Sequence, residues 1–136
     1  MATWLSTHGI GAIKDSNSSF AIVADKGSAL VKPTDPNALS GWIHFTIPSP
    51  PVNNPNLKVV AIDFSSQSAN VEAVAVYLAN IQKYKEEGLQ RGQSFTLSLP
   101  SNPQVLYQGK GISVSILVQF DNISSNLRLQ SVGIQV

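Results

Sequence analysis

Along this chain apolar residues recur at every second position more often than at every third or fourth. The clearest run is Ile112, Val114, Ile116, Val118 and Phe120, five positions in phase, with Ser113, Ser115 and Gln119 facing away. Such a period of two is that of a half-buried β-strand. Ile43, Phe45 and Ile47 repeat it on one face of 41–47, with Trp42, His44 and Thr46 on the other. Phe95, Leu97 and Leu99 form a further strand, and Phe20 to Ala24 reads as a buried one.

The longest apolar region, Leu57 to Leu78, holds two strand-length runs around the polar sequence SSQSAN. It predicts a hairpin at the centre of a two-layer structure, with Phe64 opposite Val71 and Asp63 opposite Glu72. A helix competes over 71–81, because Val71, Val74, Leu78 and Ile81 also sit at helical spacing and Asn70 is a possible N-cap. The β-branched Val71, Val74 and Val76 favour the strand, being stiff at χ1 and better packed on a pleated surface.

Residues 4–13 predict a strand interrupted at Gly9 and Gly11, glycines that mark a bulge or a close backbone approach. KDSNSS at 14–19 and DKGS at 25–28 are turns, and KPTDPNALSG at 32–41 is an ordered surface loop. The prolines of PSPPVNNPN at 48–56 remove backbone donors and make that stretch a crossover. Residues 83–91 carry five charges and read as a solvated loop or a single helical turn. In the last strand Leu127 and Leu129 are in one phase and Val132, Ile134 and Val136 in the other, which predicts a bulge near Gln130 and Ser131. Eight or nine short strands separated by Pro, Gly, Asn and Ser turns define an all-β fold, an antiparallel β-sandwich of jelly-roll type, and 136 residues make it one domain over 1–136.

Composition narrows the partners. Only 12% of residues are charged, about half the usual share, and the net charge is +1, which argues against nucleic-acid or polybasic membrane binding. Neutral polar groups replace the charges, with 18 Ser, 10 Asn and 9 Gln. That surface suits ligands rich in hydroxyl groups and also subunit contacts, although turns alone account for much Ser and Asn. With no cysteine, the fold depends on its core. No basic, apolar leader opens the chain and no run reaches the length of a membrane span, so a cytoplasmic protein is expected.

The chain resembles a family of small, single-domain all-β proteins of unassigned function. The residues that carry the likeness are Trp4 with His8-Gly9, Trp42-Ile43-His44-Phe45-Thr46-Ile47-Pro48-Ser49-Pro50, the strand Val74–Tyr77, and Gly109-Lys110-Gly111-Ile112-Ser113-Val114. The resemblance implies a β fold and supplies no catalytic residue.

The two histidines, His8 and His44, lack the local spacing of a metal site, and neither metal nor cofactor is expected. His8 reads as a strand end beside a turn and His44 as a hydrogen-bonding group across the sheet. Asp63 and Glu72 form a carboxylate pair only if the hairpin register holds. With 18 serines, a Ser-His-Asp triad is too easily proposed to count. Exposed aromatic rings on a sandwich can carry the apolar face of a sugar while amides and hydroxyls bind its oxygens. Trp42, His44, Thr46, Tyr77, Trp4 and His8 are therefore the ligand candidates, with Tyr84 beside them. The chemistry expected is that of a non-catalytic, lectin-like module binding a carbohydrate or other small molecule. The alternative is a small sandwich or barrel enzyme of cyclase or isomerase type, with Asp63, Glu72 or His44 as acid–base group in an internal cavity. A homo-dimer is also expected, from the two apolar faces of the hairpin, from Leu117 on a polar face, and from a last strand whose only charge is Arg128.

Overall fold

The computed structural model describes residues 3–50, 56–102 and 104–136. In chain order the strands are β1 (Trp4–His8), β2 (Ile13–Lys14), β3 (Phe20–Asp25), β4 (Ser28–Pro33), β5 (Ser40–Ile47), β6 (Asn56–Leu57) and β7 (Val59–Gln67). They continue as β8 (Ala69–Leu78), β9 (Ile81–Glu86), β10 (Phe95–Ser98), β11 (Val105–Leu106), β12 (Ile112–Phe120) and β13 (Asn126–Gln135). One 3-10 turn, Gly9–Gly11, separates β1 from β2.

The fold is an antiparallel β-sandwich. The first sheet has the order β10-β7-β13-β4-β3, and β1 lies beside β4 on the same flank of β13. The second sheet has the order β2-β5-β12-β8-β9, and a two-residue ladder joins β6 to β11. Between the sheets Ile43, Phe45, Val60, Ile62, Val74, Ile116, Phe120, Leu129 and Ile134 are fully buried. Phe20 meets Phe120 edge to face at 5.1 Å, and Phe64 meets Phe95 at 6.2 Å. Each such pair adds about 0.5–1.5 kcal/mol beyond the area it buries. No helix among the described residues is long and apolar enough to cross a membrane.

The strand at 112–120 and the break in the last strand lie where the alternation placed them. β13 shifts register against β7 between Leu129 and Ser131, so Leu127, Leu129, Val132 and Ile134 all point inward despite the phase change. Gly9 is a close approach, since a Cβ there would collide with the Leu129 carbonyl. His8 caps the turn that follows, its Nδ1 accepting from the Ile10 amide at 3.0 Å. Of the loop expected at 32–41, residues 34–39 connect the strands, whereas 32–33 end β4 and 40–41 begin β5; the Thr34 amide lies on Ser19 O at 2.9 Å and the Asn37 amide on the Asp35 carboxylate at 2.9 Å. Of the expected crossover at 48–56, residues 51–55 lie outside the described residues.

Three expectations are overturned. The region 57–78 is not a hairpin: β7 belongs to the first sheet and β8 to the second, and the chain passes between them through Ser68 in the left-handed region (φ 56°). A chain that changes sheets at a corner shows the same two apolar runs around a polar turn as a hairpin does. The helical spacing of Val71 and Val74 has its own cause. Leu117 pairs with Ala73 and Val118 with Val71, so Glu72 is an extra residue in the ladder and the inward phase moves by one. Residues 81–86, expected within a loop, form the edge strand β9, whose charges hide the alternation and also discourage further pairing. Finally, β13 is an interior strand rather than an edge, with β7 on one side and β4 and β1 on the other, so its lack of charge reflects burial.

Candidate binding face

The outward side chains of the second sheet form rows across the strands. One row is Thr46, Ser113, Tyr77 and Gln82; the next is Ile13, His44, Ser115, Ala75 and Lys85; a third is Trp42, Leu117 and Ala73. Aromatic and polar groups thus flank a centre of small residues. Ala73, Ala75 and Ser115 face outward and yet are buried, which requires a cover. Trp42 and Lys85 supply it from opposite sides: their strands are separated by β12 and β8, and the Lys85 Nζ lies 5.5 Å from the centroid of the Trp42 ring. Lys85 also pairs with Glu87 at 2.8 Å, and that partner raises its pKa.

The backbone under Trp42 is held from the 15–18 turn. Its carbonyl accepts from the Asp15 amide at 3.0 Å and from the buried Ser18 hydroxyl at 3.1 Å. Gly41 makes room for this turn, because a Cβ there would collide with Ser18 Oγ. Asp15 then reaches the neighbouring row, its Oδ1 lying 2.8 Å from His44 Nε2, while His44 Nδ1 lies 2.6 Å from Ser115 Oγ. The carboxylate requires a donor, so Nε2 carries the proton. The His44 hydrogen bond, followed by one from the Asn17 amide, lowers the Asp15 pKa below the ordinary carboxylate value.

Asp15, His44 and Ser115 have the residue types of a hydrolytic triad but not its working geometry. Ser115 is 1% exposed and sits on Nδ1, whereas the carboxylate sits on Nε2. A nucleophile must reach its substrate, and this one is sealed in the floor. The chain of bonds serves to fix the imidazole on the face. His44 was expected to bond across the sheet; its tie to Asp15 was not foreseen, since nothing in the sequence links position 15 to position 44.

The predicted ligand residues divide between the two sheets. Trp42, His44, Thr46 and Tyr77 share the outer face just described, whereas Trp4 and His8 lie on the outer face of the first sheet, through β1. Tyr84 points inward against the core, and burial raises its pKa. The expected carboxylate pair does not form. Asp63 is in the first sheet opposite Ser131, and Glu72 is the bulged residue of the second. Between the sheets the described side chains form one continuous apolar core, and neither Asp63, Glu72 nor His44 is among its residues. Among the described residues no three His, Cys, Asp or Glu side chains gather as metal ligands.

The fold has known counterparts. The chain is similar to the low-affinity xylan-binding module CBM86 from Roseburia intestinalis, with a TM-score of 0.56 and 11% identity over 97% of this chain and 94% of that one. It is similar to the CBM36-1 domain of a multidomain xylanase from the hindgut metagenome of Trinervitermes trinervoides, with a TM-score of 0.51 and 10% identity over 98% and 96%. A family 29 carbohydrate-binding module gives a TM-score of 0.51 and 8% identity over 99% and 89%. No family model matches the chain, and no curated protein matches it by sequence.

Proposed function

We propose that the protein is a non-catalytic carbohydrate-binding module of lectin-like character, and that its site is the Trp42 face of the second sheet. The observation that carries this reading is the Trp42 ring held over a floor of Ala73, Ala75 and Ser115, beside hydroxyl, amide and imidazole groups that are themselves positioned by hydrogen bonds. A ring fixed before binding offers a stacking surface at low entropic cost. The fold neighbours support the reading, since those named above are carbohydrate-binding modules and one of them is a xylan-binding module.

Calorimetry with xylohexaose and cellohexaose tests the site. Trp42→Ala is expected to weaken binding by about 2 kcal/mol or more, the loss typical of a central aromatic anchor, with the melting temperature recording that the fold survives. Absence of binding by the native protein at millimolar sugar refutes the proposal. The homo-dimer enters this reading through β3, an uncharged edge up to Asp25 with Val23 55% exposed. Light scattering at micromolar concentration decides between dimer and monomer.

A further inference from the structure

The outer face of the first sheet also forms rows: Trp4, Gln135, Val59 and Ser98; then Ser6, Gly133, Ala61 and Thr96; then His8, Ser131 and Asp63. The middle row is a floor of small residues. Trp4, 48% exposed, leans over it, its Cε3 within 3.5 Å of where a Gly133 Cβ would stand. Together with Ser6, Ala61, Asp63 and Ser131 the indole borders an open groove of about 300 Å³. The rows of Trp4 and Asp63 are four residues apart, about 13 Å along the strands, which is room for a pyranose ring.

From this geometry we infer that the protein has a second sugar site, in the Trp4 groove on the sheet opposite the Trp42 face, and that it takes a neutral pyranose. The indole offers a surface for the C–H face of the ring. The Asp63 carboxylate and the Ser6 and Ser131 hydroxyls accept from or donate to its hydroxyl groups. The Asp63 carboxylate disfavours a uronic acid in this groove. The two sites face away from one another, so one molecule joins two glycan chains, and the inference rests on the reading of this fold as a sugar-binding one.

The two indoles at Trp4 and Trp42 are the only ones in the chain, so each site reports on itself by fluorescence. Trp42→Phe leaves Trp4 as the sole indole, and Trp4→Phe leaves Trp42. Titrated with xylohexaose and cellohexaose, both variants are expected to give a saturable change in emission. Adding Asp63→Asn to the Trp42→Phe protein is expected to weaken its response about tenfold, because a bond to a charged acceptor is roughly twice as strong as one to a neutral acceptor. The same change leaves the Trp4→Phe response unaltered, and trigalacturonate gives no response from Trp4. Silence from the Trp42→Phe protein while Trp4→Phe responds overturns the second site and leaves the Trp42 reading intact. A response from Trp42→Phe alone upholds the groove and overturns the Trp42 site instead. Silence from both overturns both, and a Trp4 response indifferent to Asp63→Asn and to Ala61→Arg in the groove floor overturns the assignment to this groove.

Discussion

The two outer faces of the sandwich each present one tryptophan, and they hold it by different means. Trp42 is half-buried and clamped: its carbonyl is bound by Asp15 and Ser18, its ring meets Lys85, and its neighbour His44 is fixed between Asp15 and Ser115. Trp4 is half exposed, stands on a five-residue strand at the flank of β13, and leans over the small residue Gly133. One aromatic is thus placed by specific polar contacts and the other rests over a floor of small residues. The first arrangement limits what the ring can do before a ligand arrives, and the second leaves a groove beside it.

The largest expected effect separates the faces through their supports. Gly9→Ala forces a methyl group against the Leu129 carbonyl, where only the backbone can yield. We expect a loss of about 3 kcal/mol, at the upper end for overpacking. β1 should loosen from β13 while the second sheet keeps its pairing. Chemical denaturation gives the loss, and hydrogen exchange should show it first in residues 4–8; uniform loosening of both sheets contradicts the division.

Ala75→Leu acts on the other face with a smaller effect. It fills the floor beneath Trp42 and Lys85, costs about 1–2 kcal/mol of stability by overpacking, and lifts the ring, so the Trp42 emission and its response to sugar change while those of Trp4 do not. An unchanged Trp42 spectrum would mean that the ring does not cover Ala75.

The smallest effect is the dependence on pH. The folded pKa of Asp15 is depressed, first by the His44 hydrogen bond and then by the Asn17 amide. Its stabilising contribution is therefore present above the unfolded carboxylate value of about 3.9 and is lost as pH falls through the lower folded value. Asp15→Asn should melt below the native protein at pH 6, and the gap should close toward pH 3. A gap independent of pH removes the carboxylate from the account.

Strand alternation in the chain was enough to define the sandwich, the clean β12, and the bulge at Gln130–Ser131, because burial on one face leaves a period of two that depends on nothing outside the strand. It also placed Trp42, His44 and Thr46 together, since residues two apart on one strand share a face. The pairing of strands was beyond its reach. Two apolar runs around SSQSAN read alike whether they pair or part, and only the corner at Ser68 decides that Asp63 and Glu72 belong to different sheets. The same holds for the contact of Asp15 with His44, the cover over Ala75, and the position of Trp4 on the opposite face from Trp42. Each joins residues distant in the chain, so it is set by register and by which sheet a strand enters, and those follow from packing the whole molecule rather than from any local pattern.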